Sequence, residues 1–206
     1  MKKLTQLFGS LLGVSLLSLW LTHATSLEDA ILWGYDNGLT IYTTAVDFRA
    51  HDSLRRDEAA KFLVEFAKLN GNSLNTVSSS CSFNDTDKAR PDLKGYLQDA
   101  CRAGILKGNG NYIMPDQKLT NAQIVTTVVR IMDGRQSEAN VSHRADNYYI
   151  QAQNLWLSLT NFWSKDSATT RENVMLLLYD AYNGGSDSWS KNINDILQQL
   201  VNILDE

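Results

Sequence analysis

The chain has 206 residues, of which 43% are hydrophobic and 20% are charged, and its formal net charge is −4. This composition is ordinary for a globular protein and predicts one moderate domain or a short array of repeats. Because the chain is acidic and has no block of lysines and arginines, we expect no nucleic-acid partner, although an acidic total still permits a local basic pocket.

The first 24 residues have the pattern of a secretory signal peptide. Lys2 and Lys3 give a positive start, residues 7–21 are almost uncharged and rich in apolar side chains, and residues 22–24 end in a small alanine. An uncleaved membrane anchor is the alternative, but the apolar run is shorter than the roughly 20 residues that a membrane span needs. We therefore predict a signal peptide at 1–24 and an exported protein.

Three later segments share one layout, and we name them copy 1 (25–72), copy 2 (81–135) and copy 3 (141–184). Each has a helix, a Gly- or Asn-containing turn, a short aromatic-bearing segment, and a second helix that opens with a polar capping pattern. One copy cannot bury its apolar face alone, so we expect neighbouring copies to share a core.

In copy 1, apolar residues at helical spacing predict a helix at 27–35, which the Asn-Gly pair at 37–38 ends. The short middle segment contains Phe48. The second helix opens with Leu-Arg-Arg-Asp-Glu at 54–58, has a clear apolar stripe, and ends at the Asn-Gly pair at 70–71.

Copy 2 repeats this order. Its first helix is predicted at 93–103 and ends in Gly-Ile-Leu-Lys-Gly at 104–108. The middle segment at 112–115 contains Tyr, Ile and Pro. The second helix opens with Leu-Thr-Asn-Ala-Gln at 119–123 and ends at Gly134.

Copy 3 follows the same order. Its first helix is predicted at 148–157, and a Phe-Trp pair at 162–163 forms the middle segment. The second helix opens with Thr-Thr-Arg-Glu-Asn at 169–173 and ends in Asn-Gly-Gly at 183–185.

An amphipathic helix is predicted after these copies, at 187–206. We expect it to dock on the shared core, because a lone helix of this length is marginally stable. The alternative is that residues 189–204 bind a second copy of the chain or another envelope protein.

Cys81 and Cys101 are the two cysteines of the chain. In an exported protein we predict a disulfide between them, with two buried free thiols as the alternative. The histidines (His23, His51 and His143) have no spacing typical of metal ligands, so we expect neither a metal nor a cofactor.

The three openings of the second helices, with the Gly-Ile-Leu turn and the Pro115 segment of copy 2, resemble the S-layer homology family. Its repeats have a Gly-Ile-Ile-like turn, a Phe-x-Pro segment and an Ile-Thr-Arg-Ala-Glu signature. The resemblance runs from about residue 25 to about residue 183. It implies a mainly α fold of three helix–loop–helix repeats in a pseudo-threefold bundle, to which the C-terminal amphipathic helix is added. The signature varies, because copy 2 has Asn121 and Gln123 where the family has Arg and Glu.

The same resemblance implies a cell-surface protein that binds anionic secondary cell-wall polysaccharide, typically pyruvylated, without catalysis. The candidate glycan-binding residues are Arg56, Glu58, Thr120, Asn121, Thr170, Arg171, Trp33 and Trp163. An envelope structural or adaptor protein that uses the repeats and the last helix for protein contacts is the alternative. No nucleophile elbow, metalloprotease motif or phosphate loop occurs in the sequence, so we do not expect an enzyme.

The residue types leave some of these roles open. Thr120 or Thr169 can cap a helix, and Glu58 suits a first turn. An arginine in the first turn opposes the helix dipole, so Arg56 and Arg171 need either an ion pair with a neighbouring copy or a ligand. The candidate aromatic platforms for sugar (Trp33, Tyr148, Tyr149 and Trp163) have core packing as their alternative.

Overall fold

A computed structural model describes residues 26–72 and 81–184. The predicted signal peptide at 1–24 and the predicted helix at 187–206 lie outside these residues. The described helices are α1 (Leu27–Asp36), α2 (Ala45–Phe48), α3 (Arg56–Leu69), α4 (Lys94–Arg102), α5 (Asn121–Asp133), α6 (Asp146–Asn154) and α7 (Arg171–Tyr182), with 3-10 helices at Thr86–Lys88 and Pro91–Leu93. The prediction of a mainly α protein is confirmed for this part of the chain. None of these helices is long and apolar enough to cross a membrane.

The helices begin and end where local chemistry predicts. The hydroxyls of Thr120 and Thr170 accept hydrogen bonds from the third amide of α5 and α7, and Glu58 accepts one from the amide of Arg55. Gly134 ends α5 with φ of 82°, a backbone conformation that glycine adopts without strain. The cap of α7 is therefore Thr170 and not Thr169.

The first helix of copy 3 begins and ends earlier than its apolar pattern predicts. It spans Asp146–Asn154, and Trp156 just beyond it has φ of 59°, which no helix allows. Leu157 is buried from this loop rather than from the helix. Leu157 is apolar because it is buried, not because it is helical, and the apolar spacing therefore predicted a helix that extends too far.

Each second helix packs against the first helix of the following copy. The helix α3 of copy 1 packs on α4 of copy 2, and α5 of copy 2 packs on α6 of copy 3. The last second helix, α7, packs back on α1. The copies therefore form a closed chain of contacts, and one core cluster draws buried side chains from all three.

A ring of backbone hydrogen bonds lies just before the second helices. Leu54 donates to the carbonyl of Thr169 (3.0 Å), Thr169 to that of Leu119 (2.9 Å), and Leu119 to that of Leu54 (3.1 Å). Two of these three buried positions hold apolar side chains, those of Leu54 and Leu119, and the third holds Thr169. The Thr169 hydroxyl is buried without a hydrogen-bond partner, because the ring and not the cap sets its position.

The first amides of the second helices are also paired across copies. Arg56 donates to Gln117, Asn121 to Ser167, and Arg171 to Asp52, each at 2.9 Å from nitrogen to carbonyl oxygen. These amides have no partner inside their own helix. The acceptor each time lies between the middle segment and the second helix of the following copy, so positions 56, 121 and 171 occupy equivalent places.

Cys81 and Cys101 form a disulfide, as predicted. It ties the start of copy 2 to α4, the helix that packs on α3. Closing a loop of this length contributes about 3 kcal/mol in the chain-entropy model.

Candidate anion-binding site

Arg171 is a buried cation with a buried partner. Its Nη1 lies 2.9 Å from Oε1 of Glu58, and both side chains are about 5% exposed. Its Nε donates to the carbonyl of Phe48 (2.6 Å), and the guanidinium lies 4.6 Å from the centre of that ring. Burial lowers the pKa of Arg171 and the Glu58 charge opposes that shift. Of the two predicted roles for this arginine, the structure gives it an ion pair between copies 3 and 1.

Arg56 occupies the equivalent place in α3 without such a partner. The residue is 6% exposed, and its Nη2 donates to the carbonyl of Lys107 in the turn that follows α4. Its Nε is buried with no hydrogen-bond partner, and no acidic group among residues 26–72 and 81–184 lies within salt-bridge distance. Burial alone lowers the pKa of Arg56. A buried charge without a counter-charge is costly, because it loses its hydration.

Asn121 holds the third equivalent place and is neutral. Its amide nitrogen donates to the carbonyls of Ser164 (3.1 Å) and Asn161 (3.4 Å) in copy 3. Its Oδ1 is buried without a partner. Within the part of the chain that the structure describes, the three equivalent places therefore hold a cation with an acidic partner, a cation without one, and an uncharged amide.

Glu58 binds more arginines than the sequence indicates. Its Oε1 lies 3.3 Å from Nη2 of Arg49 and 3.5 Å from Nη1 of Arg90, as well as 2.9 Å from Arg171. Three guanidinium groups from three different segments therefore converge on one buried carboxylate. Sequence reasoning missed Arg49 and Arg90, because neither belongs to the repeated signature.

Asp57 is a second acid that the sequence reading passed over. Its carboxylate is fully buried and accepts from the side chain of Arg55 at 2.9 and 3.1 Å and from the backbone amide of Arg90 at 3.1 Å. The hydrogen bond with Asp57 raises the pKa of Arg55. The fixed position of Arg90 follows from this contact. The adjacent Asp-Glu pair after two arginines was the signal that could have found it.

The predicted aromatic platforms differ in exposure. Trp33 packs against Tyr179 and Tyr182, with ring centres 5.6 and 5.3 Å away. Tyr148 and Tyr149 are buried in the core, as their packing alternative predicted. Trp163 is 59% exposed and is the one of the four candidates with a largely open ring. The sugar contact predicted for Trp163 and Trp33 stays a prediction.

Thr120 and Thr170 serve as helix caps, so their hydroxyl oxygens are already occupied by the helix amides. In the part of the chain that the structure describes, no group of three His, Cys, Asp or Glu side chains is placed to hold a metal ion.

No protein-family model matches the chain. Over 81 residues it is 33% identical to the surface-layer 125 kDa protein of Lysinibacillus sphaericus. The matched stretch is 39% of this chain and 6% of that much longer protein. This stretch of the chain is therefore similar to a small part of a surface-layer protein.

Proposed function

We propose that the protein attaches at the cell surface by binding an anionic cell-wall polysaccharide non-covalently, through three S-layer-homology-type repeats in a pseudo-threefold bundle. The charged contact is Arg56. This single residue carries the proposal, because its guanidinium is buried and has no acidic partner in the described residues.

An anionic ligand would supply what Arg56 lacks. A guanidinium binds carboxylates through paired N–H donors, and such charge-assisted hydrogen bonds are strong where water is excluded. Arg171 has no comparable need, since Glu58 already neutralises it. Asn121 brings no charge. The equivalent places are therefore unequal, with anion binding assigned to the place in copy 1.

The match to a surface-layer protein supports the cellular setting of this proposal. The residues near Arg56 support its chemistry. The Lys107 carbonyl accepts a hydrogen bond from one edge of the guanidinium, and Lys107 itself is exposed. An anion would approach through the small exposed part of Arg56.

The test is co-sedimentation of the full chain with polysaccharide purified from the Lysinibacillus sphaericus cell wall. We expect the wild type to sediment and Arg56→Gln to bind at least about tenfold more weakly, since it loses a charge-assisted contact. Arg144→Gln removes an exposed arginine elsewhere, one that pairs with Glu138, and is expected to bind as the wild type does. A wild type that stays in solution, or an Arg56→Gln variant that sediments fully, overturns the proposal.

A further inference from the structure

We propose that Arg49 and Arg90 form a second anion contact, which binds a carboxylate or phosphate substituent of the same polysaccharide. We call this pair of arginines the clamp. This inference rests on the proposed function, because it takes the glycan as the source of the anion. It adds two residues that lie outside the repeated signature, and it is carried by their convergence at Glu58.

The two guanidinium groups are close together and open to solvent. Nη2 of Arg49 and Nη1 of Arg90 both lie within 3.5 Å of the same Glu58 oxygen, so they are at most about 7 Å apart. Their side chains are 55% and 45% exposed. Charge-assisted N–H···O contacts are about 2.8 Å long, so two oxygens of one carboxylate or phosphate can bridge nitrogens at this separation.

Among the described residues, the only buried acid that these arginines share is Glu58, and the remaining two negative charges of the cluster come from the exposed side chains of Asp52 and Asp92. One buried carboxylate, Glu58, faces the guanidinium groups of Arg49, Arg90 and Arg171. A guanidinium has five N–H donors, and most of those on the two half-exposed arginines are left for other partners.

Two exposed acids pair with the clamp. Asp52 lies 3.5 Å from Arg49, and Asp92 lies 3.3 Å from Arg90, with side chains 58% and 62% exposed. Exposed ion pairs of this kind contribute little and are screened by salt, so a ligand anion can compete with them.

The backbone holds both arginines in place. Arg49 ends α2 in the left-handed region, with φ of 53°, and the amide of Arg90 donates to the buried Asp57 carboxylate. Met114, which precedes Pro115 as Arg49 precedes Ala50, has φ of 56°. The left-handed backbone therefore occurs at this position in copies 1 and 2, whereas an arginine occurs there only in copy 1. Because the backbone is fixed at both positions, only side-chain freedom is lost when the two arginines bind an anion.

The first experiment measures the Kd of the full chain for the same polysaccharide. We expect Arg49→Gln with Arg90→Gln to weaken binding by about tenfold, because two charge-assisted contacts are lost. Asp52→Asn with Asp92→Asn removes the competing acids and is expected to tighten binding by about threefold. Arg102→Gln is the matched control, since Arg102 is 58% exposed and pairs with an acid three residues away, as Arg49 does.

The second experiment tests whether Arg49 and Arg90 bind small anions in the absence of polysaccharide. Inorganic phosphate and acetate are titrated against the wild type and the Arg49→Gln/Arg90→Gln variant, and the midpoint of thermal unfolding is followed. A rise in the wild type that the variant lacks supports the clamp, even if no polysaccharide sediments with the protein. Equal responses, or a double variant that binds polysaccharide as tightly as Arg102→Gln does, overturn it. A clamp that titrates normally in a protein without polysaccharide binding would instead disprove the proposed function alone.

Discussion

Arg56 and Arg171 begin the second helices of copies 1 and 3 and donate the same backbone hydrogen bond to the following copy. Their side chains nevertheless have different surroundings. Arg171 reaches Glu58, the third residue of α3, whereas Arg56 faces copy 2, where the residue at the same place in α5 is Gln123. The position that holds the carboxylate partner of Arg171 in copy 1 thus holds an exposed, uncharged amide in copy 2, and Arg56 has no acidic partner among the described residues. The partner of each arginine therefore comes from the following copy, and that copy determines whether the arginine forms an ion pair.

The largest expected effect is on folding stability. Arg171→Met breaks a buried ion pair and leaves the Phe48 carbonyl without its donor, so we expect the free energy of unfolding to fall by about 3 kcal/mol. Arg56→Met is the matched variant, and we expect a change within about 1 kcal/mol, because an unpaired buried charge is removed together with one hydrogen bond. Urea denaturation of both variants measures the difference. Equal losses would show that Arg56 is as well paired as Arg171.

The disulfide gives the next effect. It ties the start of copy 2 to α4, the helix that packs on α3, whereas neither helix of the α7–α1 contact is tied by a disulfide among the described residues. Replacing Cys81 and Cys101 by Ser is expected to lower the free energy of unfolding by about 3 kcal/mol or slightly less, because the unfolded chain gains freedom. Chemical denaturation without reductant tests this. An unchanged midpoint would mean that the loop from 81 to 101 is constrained by packing alone.

The smallest expected effect is that of Gln123→Glu, which tests the difference between Arg56 and Arg171 directly. Gln123→Glu places in copy 2 the carboxylate that Glu58 provides in copy 1, and it keeps an oxygen to accept from the Thr120 amide. We expect the free energy of unfolding to rise by up to about 1 kcal/mol and polysaccharide binding to weaken by about threefold, as the new acid competes for Arg56. Thermal denaturation and the binding assay together measure this. A variant that gains stability and keeps full affinity would separate Arg56 from the ligand.

Much of the fold follows from local chemistry. The Thr120 cap, the Gly134 end of α5 and the pairing of Cys81 with Cys101 were predicted from residue type and spacing. Caps and turns involve atoms a few residues apart, so the sequence contains the complete interaction. The start of α6 and the cap at Thr170 needed the structure, because packing and the hydrogen-bond ring set their positions.

The site divides in the same way. The sequence by itself determined that arginines open two of the second helices, that copy 2 has neutral residues there, and that capping does not explain an arginine at a helix N-terminus. Only the tertiary structure decided which arginine is paired, and that Arg49 and Arg90 join Glu58. These contacts form only when the copies close on one another, and no local pattern specifies which side chains then meet.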